Sequence, residues 1–283
     1  MKKIVLLFFL SLILAVNGFC QTKKSHDDYI DTSIMKQIFG DYKGALIDCE
    51  KAIKINPKNE KAYVQRANVK DEQGNHEGAL ADFNKAIVLN PMSSLAWFCI
   101  AYSKYKFNDF QGAIHDFSKA IEIKSDNGDA FKIKFDNGDA YYYRGLSKYL
   151  LDDYRSAIID FNSAIGLKSD HPEVYYYIGY SKYKLKDYLN AISDFNIAIE
   201  KNPNSAQAYG GRGNSKYSLN DYRGAIADYT KAIEIDPKNG VAYYGRGISE
   251  INLGDKESGC LDLSKAGELG EKDAYELIQY YCK

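Results

Sequence analysis

The sequence has 283 residues, with 37 Lys and Arg against 38 Asp and Glu, for a net charge of −1. That balance argues against a nucleic-acid binder, which needs a basic excess on at least one face. A composition of 45% apolar and 27% charged residues excludes wholesale disorder. Five prolines are too few for a loop-rich β-protein, and 25 tyrosines stand beside a single tryptophan.

The chain starts with Met1-Lys2-Lys3, followed by the apolar run of residues 4–16 and by Gly18-Phe19-Cys20 before Gln21. This is the layout of a secretory signal peptide over residues 1–20. The apolar run is short of the roughly 18 residues of a membrane span, although an uncleaved anchor is the competing reading. A lipid anchor at Cys20 is less favoured, because Phe19 is not the small residue that acylation requires there. The expected mature protein is exported, periplasmic or extracellular, with a charge of −3 once Lys2 and Lys3 are removed from the −1 of the whole chain.

A repeat fills the rest. Ala-Ile/Leu-x-Asp recurs at Ala45, Ala79, Ala113, Ala157, Ala191 and Ala225, at steps of 34, 34, 44, 34 and 34 residues, and Gly259 marks a degenerate seventh copy. Units counted from residues 26, 60, 94, 138, 172, 206 and 240 align the remainder. Position four is Tyr29, Tyr63, Trp97, Tyr141, Tyr175, Tyr209 and Tyr243. Position twenty-four is Cys49, Phe83, Phe117, Phe161, Phe195, Tyr229 and Leu263, and position twenty-seven is alanine from Ala52 to Ala266. Each unit holds two stretches of helical period separated by Gly-Asp, Asn-Asp or a similar pair near its fifteenth position, which predicts two helices joined by a tight turn. Asp occupies position twenty-three in all seven units. Lys occupies position eleven in six (Lys36, Lys70, Lys104, Lys148, Lys182, Lys216), and Arg occupies position seven in four (Arg66, Arg144, Arg212, Arg246). Positions seven and eleven share a helical face, so a repeated interhelical ion pair is expected.

The motif Tyr175-x2-Ile178-Gly179, then Ala191-x3-Phe195 and Pro203, resembles the tetratricopeptide repeat (TPR) over residues 26 to about 271. The resemblance implies an all-α solenoid of seven antiparallel helix pairs in a right-handed superhelix: repeats one to three at 26–127 and four to seven at 138–271. Residues 272–283 read as a capping helix over the last apolar face. The step of 44 arises from a duplicated ten-residue stretch, placed at 128–137, which sets Phe131 and Tyr141 in competition to start the fourth repeat. Tyr141 should win, because Arg144-Gly145 and Ala157 follow it in phase, leaving the surplus copy as a loop or an aborted helix. Asp126-Asn-Gly-Asp129 and Asp136-Asn-Gly-Asp139 lack the distal Glu of a calcium loop and read as turns. With four cysteines left in a disulfide-permissive compartment, Cys260 and Cys282 are expected to bond, as the cap helix folds back beside the last repeat. Cys49 replaces a core aromatic and should be a buried thiol.

No phosphate loop, zinc spacing or nucleophile elbow is present, and His26, His76, His115 and His171 fall in different repeats, so no enzyme, cofactor or metal is expected. In the TPR family an arc of the first helix, here positions two, five, nine, twelve and thirteen, lines a concave groove that receives peptides or partner helices. On this chain the arc carries Phe98, Tyr102 and Tyr105, then Tyr142, Leu146 and Tyr149, then Tyr176, Tyr180 and Tyr183, with Asn214, Tyr217 and Tyr244 beyond. Tyrosine supplies rigid area plus one hydroxyl. A scaffold that binds a protein or peptide in a tyrosine-rich groove is the leading expectation. The alternative is a structural or self-associating spacer array whose groove stays empty, its aromatics only packing neighbouring helices. The carboxylate-clamp pattern of the family is absent, because Ile30 and Ile34 stand at its Lys and Asn positions.

Overall fold

Apolar residues three and four apart, closed by left-handed turns, set the local structure of every unit. Position fifteen has positive φ throughout: Gly40, Gly74 and Gly254 adopt it at low cost, while Asn108, Asp152, Lys186 and Asn220 adopt it despite a Cβ. The next residue caps the second helix. Asp41, Asn75, Asp109, Asp153, Asp221 and Asp255 each accept a hydrogen bond from a backbone N–H in the first turn.

The computed structural model describes residues 24–123, 137–169 and 171–282. The chain divides into two compact units, Met1–Met92 and Ser93–Lys283. The first holds α1 (His26–Ile38), α2 (Tyr42–Ile55), α3 (Glu60–Glu72) and α4 (His76–Leu89). The second holds α5 (Ser94–Lys106), α6 (Phe110–Glu122), α7 (Asn137–Leu150), α8 (Tyr154–Gly166), α9 (Val174–Lys184), α10 (Tyr188–Lys201), α11 (Ala206–Ser218), α12 (Tyr222–Ile235), α13 (Gly240–Asn252), α14 (Lys256–Glu268) and α15 (Asp273–Tyr281). The architecture is all-α: seven helix pairs, two in the first unit and five in the second, followed by the capping helix α15. The expected signal peptide (1–20) lies outside the described residues, as does nearly all of the duplicated stretch with Phe131. The helix α7 begins at Asn137 and runs through Tyr141.

The cores repeat with the sequence. Ala45, Ala52, Ala79 and Ala86 are buried in the first unit, and Phe117, Phe161, Phe195, Tyr229 and Leu263 are buried in the second. In repeats three to six the position-twenty-four ring meets position six of the next repeat. Phe117 stacks on Tyr143 at 6.2 Å and Phe161 on Tyr177 at 5.8 Å. In the first unit a polar set takes that place. Ser33 Oγ and Cys49 Sγ share a 3.0 Å hydrogen bond, and Gln65 donates to Ser33 and Gln37. Burial pushes the Cys49 thiol up to about 11, so it stays protonated and unreactive.

The ion pairs form a ladder. The position-eleven lysines reach the position-twenty-three aspartates at 2.6–2.8 Å in repeats one to six. Arg66, Arg144, Arg212 and Arg246 grip the same aspartates through two nitrogens. In the second unit the third nitrogen also crosses to the preceding repeat: Arg144 donates to Ser118, Arg212 to Asn196 and Arg246 to Thr230. At the C-terminal end Cys260 on α14 is disulfide-bonded to Cys282 after α15, with Cα atoms 5.7 Å apart. Cys49 and Cys99 remain thiols.

The seventh repeat breaks the ladder, because Glu250 stands where the other six carry lysine. Its Oε2 is buried without a hydrogen-bond partner among the described residues. Burial first, and then the Asp262 carboxylate, push its acid group up to about 7, against the opposing pull of Arg246. An acid whose folded value is raised keeps its proton when the unfolded chain has lost it, so stability falls as pH rises from about 4.5 to about 7. Glu250→Lys restores the ladder. Its stability advantage over the parent should grow across that interval and level off above it at about 1–2 kcal/mol, discounted for the water the carboxylate still meets. Urea unfolding at pH 4.5, 6 and 8 checks this; parallel pH profiles for parent and variant would refute it.

Candidate interaction groove

The rings expected on the groove arc fall into two groups, one on α5 and one on α7 and α9, joined through the position-six tyrosines Tyr143 and Tyr177 by Tyr142, whose ring lies 5.2 Å from Tyr143 and 6.4 Å from Tyr177. Along α5, Phe98, Tyr102 and Tyr105 follow one another at 6.2 and 6.4 Å. Tyr143 of α7 sits among all three, 4.9 Å from Tyr102 and 5.6 Å from Tyr105. Tyr149 contacts Tyr177 at 5.2 Å and Tyr180 at 5.7 Å. Tyr176, Tyr180 and Tyr183 then continue along α9 at 6.1 and 6.0 Å. The two contacts along α5 are stacked at long centroid separation, and the others are edge-on or tilted, arrangements that aromatic quadrupoles favour over a face-to-face sandwich. Phe98, Tyr105, Tyr149, Tyr176, Tyr180 and Tyr183 are half-buried, and Tyr102 is 36% exposed. These rings therefore pack on one another while keeping one face in solvent.

Tyr142 is the correction. It was expected on the groove, yet it is 4% exposed and belongs to the core of repeats four and five. Its ring stacks on the His171 imidazole at 3.8 Å, and its hydroxyl donates to Glu173 at 2.9 Å. His171 in turn bonds to Asp139. That polar clasp at the turn into α9 draws Tyr142 inward. Tyr217 pairs with Tyr222 and accepts from Asn252, and Tyr244 packs against the capping cluster around Leu263 and Ala274. Neither joins these ring groups.

Asn214 does reach the site, through a cleft absent from the sequence reading. A cavity of about 300 Å³ opens between α9, α11 and α13, walled by Tyr176, Tyr180, Gly210, Gly211, Asn214 and Tyr229 among others. A second, of about 240 Å³, adjoins it through the shared residues Tyr176 and Gln207 and extends to Glu173 and Tyr177. The first exists because repeat six carries Gly210 and Gly211 where repeat five carries Tyr176 and Tyr177. A Cβ on Gly210 would meet nothing within 4 Å. Tyr229 donates to Asn214 Oδ1 at 2.7 Å, which turns the amide nitrogen of Asn214 outward as a donor. Burial, then neighbouring tyrosines, push the Tyr176 hydroxyl up to about 12 and raise Tyr105 and Tyr149 as well. All three remain hydrogen-bond donors at any physiological pH.

The position-six tyrosines, Tyr143 and Tyr177, are central to the ring groups although periodicity placed them off the arc. Their signal was that only repeats four and five carry an aromatic there. Lys106 and Lys184 hold their ammonium groups 6.0 and 5.9 Å from the rings of Tyr102 and Tyr180. Among the described residues no three His, Cys, Asp or Glu side chains stand close enough to share a metal ion, and no helix is long and apolar enough to cross a membrane.

The helix pairs and their period define a helical-repeat scaffold. Tetratricopeptide-repeat family models match residues 49–81, 173–205 and 206–239. This chain is a tetratricopeptide-repeat protein. It is similar to YrrB, described as a TPR protein with an unusual peptide-binding site, at 23% identity and a TM-score of 0.60, over 69% of this chain and 95% of that one. Pseudomonas aeruginosa pilF aligns at 16% identity and 0.62 over 77% and 94% of the two chains. The C-terminal part of a TPR repeat-containing protein from Cytophaga hutchinsonii aligns at 19% and 0.66 over 87% and 98%. No curated protein matches this sequence. Similarity at these identities establishes the fold, and stacked helix pairs of this kind serve as protein–protein interaction scaffolds that present extended binding surfaces.

Proposed function

We propose that this chain is an exported, non-enzymatic scaffold that holds a protein or peptide partner on the rings of α5, α7 and α9 and in the cleft beside α11. The observation that carries the reading is the pair of half-exposed ring groups between Phe98 and Tyr183, which end at the Tyr176–Asn214 cleft. Rigid aromatics that are already packed lose little conformational freedom on binding, the usual chemistry of a binding hot spot. The peptide-binding site named for YrrB, whose fold this chain shares, supports the same reading. Export rests on the signal-like layout of residues 1–20.

A benzophenone amino acid in place of Tyr180 should crosslink a partner from an envelope extract on illumination. The same probe in place of Leu189, which is 69% exposed elsewhere on the unit, should not. Equal crosslinking from both positions, or none from the first, would overturn the reading.

A further inference from the structure

Resting on that reading, we propose that the cavity beside Gly210 receives one aromatic side chain of the partner, in the place where neighbouring repeats supply a ring of their own. Position five carries Ile30, Val64, Phe98, Tyr142, Tyr176 and Tyr244 in six repeats, and glycine only in the sixth. In repeats three, four and five the position-five ring lies against the position-twenty-four ring of the same repeat. The pairs are Phe98–Phe117 at 5.5 Å, Tyr142–Phe161 at 6.1 Å and Tyr176–Phe195 at 6.0 Å, tilted by 51–59°. Repeat six keeps the second member of the pair, Tyr229, but has Gly210 for the first. The space left over is the cavity of about 300 Å³, and Tyr229 stands in its wall with Tyr176 and Tyr180.

The wall selects the chemistry of the occupant. Glu173 lines the adjoining cavity, but none of the residues around this one is charged. A charged side chain would lose hydration there without an opposite charge to meet it. An aliphatic side chain could fill the volume, but it would leave Tyr229 without the tilted ring that its counterparts Phe117, Phe161 and Phe195 each have. Such ring pairs are worth more than the area they bury. The size fits, because an apolar cavity of about 150 Å³ already holds benzene, which leaves room here for a ring and the carbon that joins it to a backbone. Tyr176 and Tyr180 belong both to the rings of α9 and to the cavity wall, so a peptide lying on those rings reaches the cavity with a single side chain.

4-Methylphenol, the tyrosine side chain as a free molecule, should bind the whole protein in a ligand-observed NMR titration. Cyclohexanol, of similar size but without a π-system, should bind roughly threefold to tenfold more weakly. Gly210→Tyr supplies the missing ring from the chain itself. It should raise the melting temperature, remove 4-methylphenol binding and remove the partner crosslink at position 180. Gly210→Ala adds only a Cβ that meets open space and should keep both. Absent 4-methylphenol binding, equal binding of the two probes, or a Gly210→Tyr variant that melts lower, still binds 4-methylphenol or still crosslinks the partner would overturn the proposal. After any of these results the scaffold reading stands as long as position 180 of the parent crosslinks a partner. No crosslink from the parent overturns both.

Discussion

Asp160→Ala is expected to destabilise the second unit by about 3–5 kcal/mol, the usual cost of removing one partner from a buried ion pair. The carboxylate is 1% exposed and accepts two bonds from Arg144, at 2.8 and 2.7 Å, and Lys148 lies 2.7 Å away. Its loss leaves two cations side by side on α7, facing α8 with no anion to neutralise them. It also loosens Arg144, whose remaining nitrogen ties α7 to Ser118 of the previous repeat. Asp116→Ala provides the graded comparison. Position seven of that repeat is Ile100, so Lys104 at 2.6 Å is the cation that pairs with Asp116. The loss there should be about half as large. Asp27, at 67% side-chain exposure, should tolerate alanine within about 0.5 kcal/mol. Chemical unfolding followed by circular dichroism ranks the three, and a loss at Asp160 no larger than that at Asp27 would refute the buried-ladder account.

Phe195→Ala should cost a comparable amount, about 3–5 kcal/mol, because the ring fills the space between two repeats with no side chain able to replace it. It is fully buried, and glycines face it from both sides. A Cβ on Gly179 of the same repeat would lie 3.1 Å from the ring, and one on Gly211 of the next would lie 2.4 Å from it. Gly211→Ala alone should cost about 1–3 kcal/mol by overpacking. The adjacent Gly210→Ala should gain up to about 1 kcal/mol from helix propensity, since its Cβ meets open space. Combining Phe195→Leu with Gly211→Ala should be less damaging than the sum of the two, the mark of groups sharing one volume. Additive losses would mean that ring and glycine do not compete for space.

Those two residues also indicate how much of the molecule could be read from its sequence. Period, turn position, helix pairing and the Lys–Asp–Arg ladder were legible because each depends on side chains at fixed spacings within one repeat. Contacts between repeats were harder. That Tyr142 turns inward depends on His171 and Glu173, a full repeat away in the chain, and helical phase alone assigned it to the groove. The importance of Tyr143 and Tyr177 required knowing that position six meets the preceding ring. The cleft beside Asn214 arises from missing side chains at Gly210 and Gly211, and periodicity looks for what recurs.

The arginine bridges are not spread evenly along the second unit. They join repeat three to four, five to six and six to seven. Between four and five, Ile178 occupies the bridging position. That junction depends instead on rings, the Tyr142–Glu173 bond and the His171–Asp139 bond, and α9 starts there without a side-chain cap. Among the described residues of this unit, that junction alone lacks an arginine bridge, and it lies under the centre of the rings. A strain applied across the unit would meet aromatic contacts and two polar contacts there, where the other junctions oppose it with an arginine anchored on a buried aspartate.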